Sequence, residues 1–285
     1  MILAIYQQHK SERMYSQIES ETYPVLGVNI SPCSKSDFFV SINERLQNND
    51  ENLPPYFVVT VNPEIAIQSI VDNSFRKILQ SSNINTADGV GITWAVKHLY
   101  HKTVERITGS DSLEKICAAC AKLDQSVFFY GAAPGVADKA AVVLKERNPG
   151  LQIEGVFSPD STDTCFEQLP ITTQIELQHA SVVFVALGAP SQEKWIYENM
   201  DKLKHCRLII GIGGSFDFIA GTQKRAPIMF RKSGLEWMYR LYKDPSRWRR
   251  MLRLPLFAIS ILLLKASNTT IQKTEPAKLP EKEVA

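Results

Sequence analysis

The sequence predicts an α/β protein with a Rossmann-like layered fold and a mostly parallel sheet. Strand-like and helix-like segments alternate from about Tyr23 onward, and this alternation is typical of a parallel sheet with helices on its faces. The strand-like segments are continuous apolar runs, as expected for strands that are covered on both sides. Ligands of such folds bind at the carboxyl ends of the strands, so we expect the functional residues in the loops that follow them.

Strands and helices follow from the apolar runs and from the residues that bound them. In chain order, the predicted strands are 56–61, 127–131, 153–157, 181–187 and 207–212. The predicted helices are 63–79, 92–100, one that ends near 123, 136–146 and 191–203. Pro63 suits the first turn of its helix, where a backbone N–H would be unpaired in any case. Asp111 is predicted to cap the helix that ends near Leu123.

Composition divides the 285 residues into four regions. Residues 1–22 are polar and are predicted to be loosely ordered, whereas residues 23–224 are predicted to form the α/β domain. Residues 225–265 form a predicted C-terminal helical appendage that is basic and amphipathic. Residues 266–285 are rich in Lys, Glu, Pro and Thr and are predicted to be disordered.

The formal charge of +2 conceals an uneven distribution. Residues 224–253 hold ten Lys or Arg and two acids, a net charge of +8, so the remaining residues sum to −6. The overall balance argues against a nucleic-acid-binding protein, which would be strongly basic. The apolar run 254–264 follows directly and is shorter than the roughly 20 residues that span a membrane. Basic and aromatic residues before such a run favour a helix lying in a membrane interface; a helix packed in the core or in a dimer contact is the alternative.

The five cysteines are dispersed along the chain and do not resemble a disulfide framework. We therefore expect a reduced, cytosolic setting. The N-terminus lacks the basic and long apolar segments of a secretory signal, so none is expected.

Polar side chains follow the first predicted strand and precede the helix 92–100. Thr60 ends the strand. Asn62 either only caps the next helix or also lines an anion site at its N-terminus. Asp88 lies in the loop 86–91 and is either a turn residue or a general base that takes a proton from an attacking hydroxyl.

Two later loops carry further candidates. Gly131 begins a glycine loop that either approaches a phosphate or is only a turn between strand and helix. Gly188 begins a second loop, and Gln192 and Glu193 follow in the first turn of a helix. Their polar ends are predicted to face the same cleft, with a capping role for Glu193 as the alternative.

A glycine cluster at 211–217 follows the last predicted strand. Gly213 and Gly214 allow a ligand to approach the backbone closely, and Asp217 could accept hydrogen bonds from ribose hydroxyls. The chain contains no Asp-x-Asp triplet, with which many nucleotide-sugar transferases hold a divalent cation. We therefore expect neither a metal nor a cofactor, and we expect arginines or helix N-termini to offset leaving-group charge.

Taken in order, these segments resemble the WecG/TagA/CpsF glycosyltransferases, which form glycosyltransferase family 26. The matching segments are 60–64, 87–91, 106–111, 129–132, 186–195, 211–221, 224–227 and 234–241. They extend over roughly residues 24–257, which is most of the chain.

The resemblance implies an inverting, metal-independent bacterial enzyme that sits peripherally at the cytoplasmic face of the inner membrane. It would move N-acetylmannosamine or a related sugar from a UDP-sugar to N-acetylglucosamine on undecaprenyl diphosphate. The products of such enzymes feed teichoic acid, common antigen or exopolysaccharide synthesis. Residues 23–224 would then be the catalytic domain.

The resemblance also implies roles for individual residues. The family's proposed base corresponds to Asp88, and its other cleft residues correspond to Thr60, Asn62, Arg106 and Gln192. The residues assigned to donor binding are Gly131, Gly188, Glu193, Gly213, Gly214 and Asp217. Arginines that the family's appendage brings to the active site correspond to Arg240, Arg247 and Arg250. Guanidinium groups there could neutralise the diphosphates of UDP and of the lipid.

The expected partners are a UDP-sugar donor, a lipid-diphosphate-linked acceptor and an anionic membrane surface, and no nucleic acid. A homo-oligomer is left open. One alternative is that the same scaffold uses another UDP-sugar, such as UDP-glucose, in exopolysaccharide synthesis. The other alternative is a nucleotide-binding module without catalysis.

Overall fold

A parallel six-stranded sheet forms the centre of the protein, beside a short antiparallel hairpin. The computed structural model describes residues 22–48, 50, 53–162, 164–203, 205–227, 229–230, 235–243, 245 and 248–266, without the side chains of Arg240, Arg249 and Arg250. The strands are β1 (Tyr23–Val25), β2 (Val28–Ile30), β3 (Tyr56–Val61), β4 (Ile84–Ala87), β5 (Ser126–Gly131), β6 (Gln152–Phe157), β7 (Val182–Ala186) and β8 (Leu208–Gly211). The sheet order is β4-β3-β8-β7-β5-β6, and β1 pairs with β2.

Helices cover both faces of this sheet. The helices are α1 (Lys35–Gln47), α2 (Pro63–Val71), α3 (Asn73–Gln80), α4 (Val90–Tyr100), α5 (Gly109–Leu123), α6 (Val136–Arg147), α7 (Ile171–His179), α8 (Ser191–Asn199), α9 (Ser215–Ile219), α10 (Glu236–Lys243), α11 (Trp248–Met251) and α12 (Arg253–Ala266). Buried residues of α2, α3, α4, α7, α8 and α12 form one core cluster. Those of α1, α5, α6 and α9 form the other. Alternate residues of β3 divide between the clusters, with Phe57 in the first and Val58 in the second. The predicted α/β class and the two-sided covering of the strands are confirmed.

The winding of the chain changes direction between β3 and β8, which are neighbours in the sheet. The two strands are parallel, with Val59 opposite Gly211. The helix after β3 packs in the first cluster, whereas α9, after β8, packs in the second. In an open α/β sheet, such a switch point leaves a crevice at the carboxyl ends of the strands. This crevice is where the candidate site lies.

Two helix predictions were wrong in their boundaries. The predicted helix 63–79 is broken at Asp72, whose carboxylate accepts a hydrogen bond from the backbone N–H of Phe75 (2.9 Å) and so caps α3. Asp111 does not cap α5. Thr108 does so, because its hydroxyl oxygen accepts the Asp111 N–H (3.2 Å). At Asp72 a side-chain acceptor competes with continuation of the helix, whereas at Thr108 it satisfies a backbone N–H in the first turn of a new helix.

The C-terminal apolar run forms α12, which packs against α2 and α4. Phe257 and Ile261 are 2% and 0% exposed and belong to the first core cluster. Burial of such a side chain contributes about 1.5–3 kcal/mol. The opposite face keeps Leu256, Ile259 and Leu263 more than half exposed. The run therefore has a core-packing side and an open apolar side.

No helix in the described part of the chain combines the length and apolar character needed to cross a membrane. The regions predicted to be loosely ordered or disordered are almost wholly outside the described residues, since only residue 22 of the first and residue 266 of the second are described.

Candidate active site

A cleft of about 340 Å³ opens at the carboxyl ends of β3, β4, β7 and β8. Its walls come from the loops that follow these strands, from the N-terminal turn of α5 and from the C-terminal segment. The cleft is lined by residues within 60–68, 88–91, 106–110, 188–192, 212–225, 236–237 and 251–254.

Most of the residues predicted for the site meet in this cleft. Those that line it are Thr60, Asn62, Asp88, Arg106, Gly188, Gln192, Gly213, Gly214 and Asp217. Gly131 and Glu193 do not line it. Arg247 lies outside the described residues, and the side chains of Arg240 in α10 and Arg250 in α11 are likewise not described.

Thr60 and Asn62 stand at the end of β3. The Thr60 hydroxyl donates to the carbonyl oxygen of Gly211 (3.0 Å), which ties β3 to β8 at the switch point. The Asn62 side chain accepts the N–H of Ile65 (3.0 Å) and caps α2. Asn62 is therefore both a helix cap and a residue of the cleft wall, so the two interpretations of it are compatible.

Asp88 follows β4 directly, and its side chain is half-buried. Its backbone N–H donates to the carbonyl oxygen of Val61 (2.7 Å), which extends the pairing of β3 and β4 by one residue. Gly89 has a φ of 99°, a conformation that side-chain-bearing residues rarely adopt. The chain turns sharply there and enters α4 at Val90, leaving the Asp88 carboxylate on the cleft wall.

Arg106 is brought to the same edge by an added strand-like contact. Residue 106 bridges Ala87 in parallel, and the N–H of Ile107 donates to the Ala87 carbonyl oxygen (3.0 Å). Since Asp88 follows Ala87, a carboxylate and a guanidinium line neighbouring parts of the cleft. The sequence order alone, with 17 residues between Asp88 and Arg106, gives no sign of this bridge.

Gln192 is held at both ends of its amide group. Its oxygen accepts the backbone N–H of Gly213 (3.0 Å), and its nitrogen donates to the Glu193 carboxylate (2.7 Å). Glu193 is fully buried. Burial raises the pKa of its carboxyl to about 7, although hydrogen bonds from Gln192 and from its own backbone oppose the shift. The two neighbours thus differ, because Gln192 lines the cleft whereas Glu193 is buried behind Gln192 and accepts its hydrogen bond.

Gly131 has a structural reason to be glycine. Its φ is 106°, and a Cβ there would lie 2.7 Å from the backbone of Ala186 on β7. The next residue continues this close approach, because the N–H of Ala132 donates to the Ala186 carbonyl oxygen (2.9 Å). The structure supports the turn interpretation of this loop.

Two arginines on the cleft wall were not predicted as site residues. Arg225 donates to the Asp111 carboxylate (2.8 Å). Burial by itself would raise the pKa of Asp111, but the hydrogen bond and charge of Arg225 hold it below its ordinary value. Arg253, at the start of α12, also lines the cleft. Both lie in the basic window 224–253, and residue 225 lies in the matching segment 224–227, so the signals that could have identified them were present.

Apolar side chains from the C-terminal segment complete the wall. Trp237, Met251 and Leu254 line it on the side of α10, α11 and α12. Within the described residues, no three His, Cys, Asp or Glu side chains are grouped so that they could hold a metal ion. The expectation of a metal-free reaction stays a prediction.

This cleft defines a class of protein. The sheet is doubly wound and has a crevice at its switch point. Helix N-termini face that crevice, and arginines lie on its wall. These features together are typical of proteins that bind phosphorylated ligands such as nucleotides. The particular family follows from comparison with known sequences. The chain belongs to the glycosyl transferase WecG/TagA/CpsF family, whose profile matches residues 23–270. It is a glycosyltransferase.

Several curated relatives carry the name N-acetylglucosaminyldiphosphoundecaprenol N-acetyl-beta-D-mannosaminyltransferase. One from Bacillus spizizenii (strain ATCC 23059 / NRRL B-14472 / W23) is 35% identical over 209 residues, which are 72% of this chain and 78% of the relative. One from Bacillus subtilis (strain 168) is 34% identical over 213 residues, 75% and 81% of the two chains. One from Staphylococcus aureus (strain MRSA252) is 29% identical over 241 residues, 85% and 92% of the two chains.

Proposed function

We propose that this protein transfers N-acetylmannosamine from a UDP-sugar to N-acetylglucosamine on undecaprenyl diphosphate, with inversion and without a metal. The observation that carries the proposal is the meeting of Asp88, Arg106, Gln192 and the glycine turn 213–214 in one cleft. That cleft belongs to a chain 35% identical to a relative named for this transfer.

Asp88 is the proposed general base. It would take the proton from the acceptor's attacking hydroxyl as that oxygen forms a bond to the donor's anomeric carbon. The bond from this carbon to the UDP oxygen breaks on the opposite side, and UDP leaves with the bonding electrons. Attack from one face with departure from the other inverts the anomeric centre.

The charge that develops on the leaving diphosphate needs fixed positive groups. Arg106, Arg225 and Arg253 line the cleft, and α2 and α5 present their N-terminal turns to it. The partial positive charge of a helix N-terminus favours a phosphate there. Arg240, Arg247 and Arg250 of the appendage would add further guanidinium groups.

The donor is proposed to lie along Gly188, Gly213 and Gly214, with the ribose hydroxyls donating to Asp217. Thr60 and Asn62 would line the floor where the sugar sits. Gly131 and Glu193 are left out of this donor site because neither lines the cleft.

The C-terminal appendage, residues 225–265, is proposed to dock on the anionic cytoplasmic face of the membrane, where the lipid-linked acceptor resides. Two observations support this. The exposed face of α12 is apolar, with Leu263 64% exposed, and Trp248 before it is 53% exposed. The window 224–253 carries a net charge of +8. Basic and aromatic residues beside an apolar face are the composition of an interfacial segment.

A donor panel tests the proposed function. The protein is incubated with UDP-N-acetylmannosamine, UDP-N-acetylglucosamine or UDP-glucose and a lipid-diphosphate-linked N-acetylglucosamine acceptor, and the product is identified by mass and linkage. The proposal predicts a β-linked N-acetylmannosamine product from the first donor. Product from UDP-glucose alone would favour the alternative donor, and binding of UDP without any product would favour the module without catalysis.

A further inference from the structure

Glu193 is a carboxyl buried in the core with only part of its hydrogen-bonding capacity used. It is 0% exposed. Its Oε1 accepts from Gln192 Nε2 (2.7 Å), and its Oε2 has no hydrogen-bond partner among the described residues. Burying a carboxyl with one oxygen unpaired costs free energy, and among the described residues the only side chain that hydrogen-bonds to Glu193 is that of Gln192.

The two hydrogen bonds of Gln192 fix which way its amide points. The oxygen faces the N–H of Gly213 (3.0 Å), and the nitrogen faces Glu193. Rotating the amide by half a turn would set its oxygen against a carboxylate oxygen and its NH₂ group against an N–H. Glu193 therefore selects the amide orientation in which Gly213 finds an acceptor.

The backbone of β8 passes close beneath this amide. A Cβ at Gly211 would lie 2.6 Å from Gln192 Nε2, so β8 passes directly against the amide. Two residues later Gly213 has a φ of 52°, and Gly213 and Gly214 then line the cleft. The hydrogen bond from the Gly213 N–H to Gln192 joins this turn to the first turn of α8.

We propose that Glu193 is a positioning residue, which holds the Gln192 amide and through it the Gly213–Gly214 turn in the geometry that receives the donor. The inference rests on the proposed function for its effect on transfer, but its effect on the turn can be measured separately. Glu193 does not line the cleft, and it acts only through Gln192.

Four variants test the proposal in transfer assays. Glu193→Leu removes the acceptor at similar volume, Glu193→Gln keeps a carbonyl acceptor, and Gln192→Ala is made alone and together with Glu193→Leu. Loss of the hydrogen bond from Gln192 to the Glu193 carboxyl predicts a fall in kcat/KM for the donor of about 3- to 100-fold in Glu193→Leu. Glu193→Gln should recover most of it, and the KM for the acceptor should stay within about threefold, a change of less than 1 kcal/mol.

The double variant decides between positioning and general structure. If Glu193 acts through Gln192, adding Glu193→Leu to Gln192→Ala costs no further activity. Losses that add in full would overturn the proposal. So would an equal rise in the KM values for donor and acceptor, because a loosened core has no reason to spare one substrate.

Amide hydrogen exchange reports on the turn without any assay of transfer. In Glu193→Leu the Gly213 N–H should exchange faster while the amides of β7 keep their protection, and in Glu193→Gln both should match the unaltered protein. Unchanged exchange at Gly213, or faster exchange throughout β7 and β8, would overturn the proposal. Because this readout needs no sugar donor, a failure of the proposed function leaves it intact.

Discussion

The cleft residue Gln192 is held in place by a buried neighbour, Glu193, that does not itself line the cleft. The loops that hold the cleft residues were predictable, since polar residues directly after buried strands lie at the carboxyl edge of a parallel sheet. The distinct positions of Gln192 and Glu193 were not. Neighbouring helical residues point about 100° apart, and which of them faces the cleft depends on how α8 lies against β7 and β8. The spacing of residues in the sequence does not predict how α8 is rotated about its own axis.

Glu193 predicts a pH dependence of stability. Its pKa is about 7 in the folded protein against an ordinary 4.5, so between these values the folded state binds more protons than the unfolded state. This group's stabilising contribution is therefore fully present below pH 4.5 and is lost as the pH rises through 7. Glu193→Gln cannot titrate and should gain stability relative to the unaltered protein over that interval.

Thermal unfolding of both proteins at about pH 5 and about pH 8 measures this effect. The Tm of Glu193→Gln should exceed that of the unaltered protein by more at the higher pH than at the lower pH. An excess that is the same at both values would show that the carboxyl does not titrate in this range.

At the scale of elements, the strands were more predictable than the helix boundaries. Buried parallel strands are continuous apolar runs, and β3, β5, β6, β7 and β8 all lie within two residues of their predicted bounds. The edge strand β4 has the sequence Ile-Asn-Thr-Ala, which gives no apolar run, and was missed. Caps at Asp72 and Thr108 depend on single hydrogen bonds, which the periodicity of a sequence does not reveal.

Helix α12 predicts opposite outcomes for two neighbouring residues. Ile261 is fully buried and Leu262 is half exposed, so Ile261→Ala should lower the free energy of unfolding by about 2–5 kcal/mol. Leu262→Ala should change it by about 0.5 kcal/mol or less. Urea unfolding measures both, and equal effects would mean that α12 does not pack on α2 and α4 in solution.

At the scale of the whole molecule, the acidic and basic parts of the sequence correspond to different parts of the structure. The acidic remainder of the chain includes Asp88 and the sheet, while the basic window supplies one wall of the cleft and leads into the half-exposed α12. Because α12 is part of the core, removing the C-terminal segment would unfold its neighbours and so could not test the proposed membrane docking by itself. Substitutions on its exposed face separate the two effects.

The triple variant Leu256→Ser, Ile259→Ser, Leu263→Ser should lose binding to anionic vesicles with no loss of folding, since all three side chains are more than half exposed. Each leucine or isoleucine contributes about 1.5–3 kcal/mol when buried in the bilayer interface, so binding should fall by more than tenfold in a sedimentation assay. Ile171→Ser with Ile175→Ser on α7 is the matched control, being 68% and 47% exposed at the other end of the sheet. Sedimentation of the triple variant at the level of the control would refute the docking of α12.

Comparison of Asp88→Asn with the unaltered protein, in transfer and in binding, tests whether Asp88 is the general base. Asparagine keeps the shape of the side chain and cannot accept the acceptor's proton, so the rate of N-acetylmannosamine transfer should fall about 10²- to 10⁴-fold. The affinity for UDP, measured by calorimetry, should stay within about twofold, a change well below 1 kcal/mol. Transfer by Asp88→Asn at close to the unaltered rate would contradict the assignment of the base and, with it, the mechanism built on this cleft.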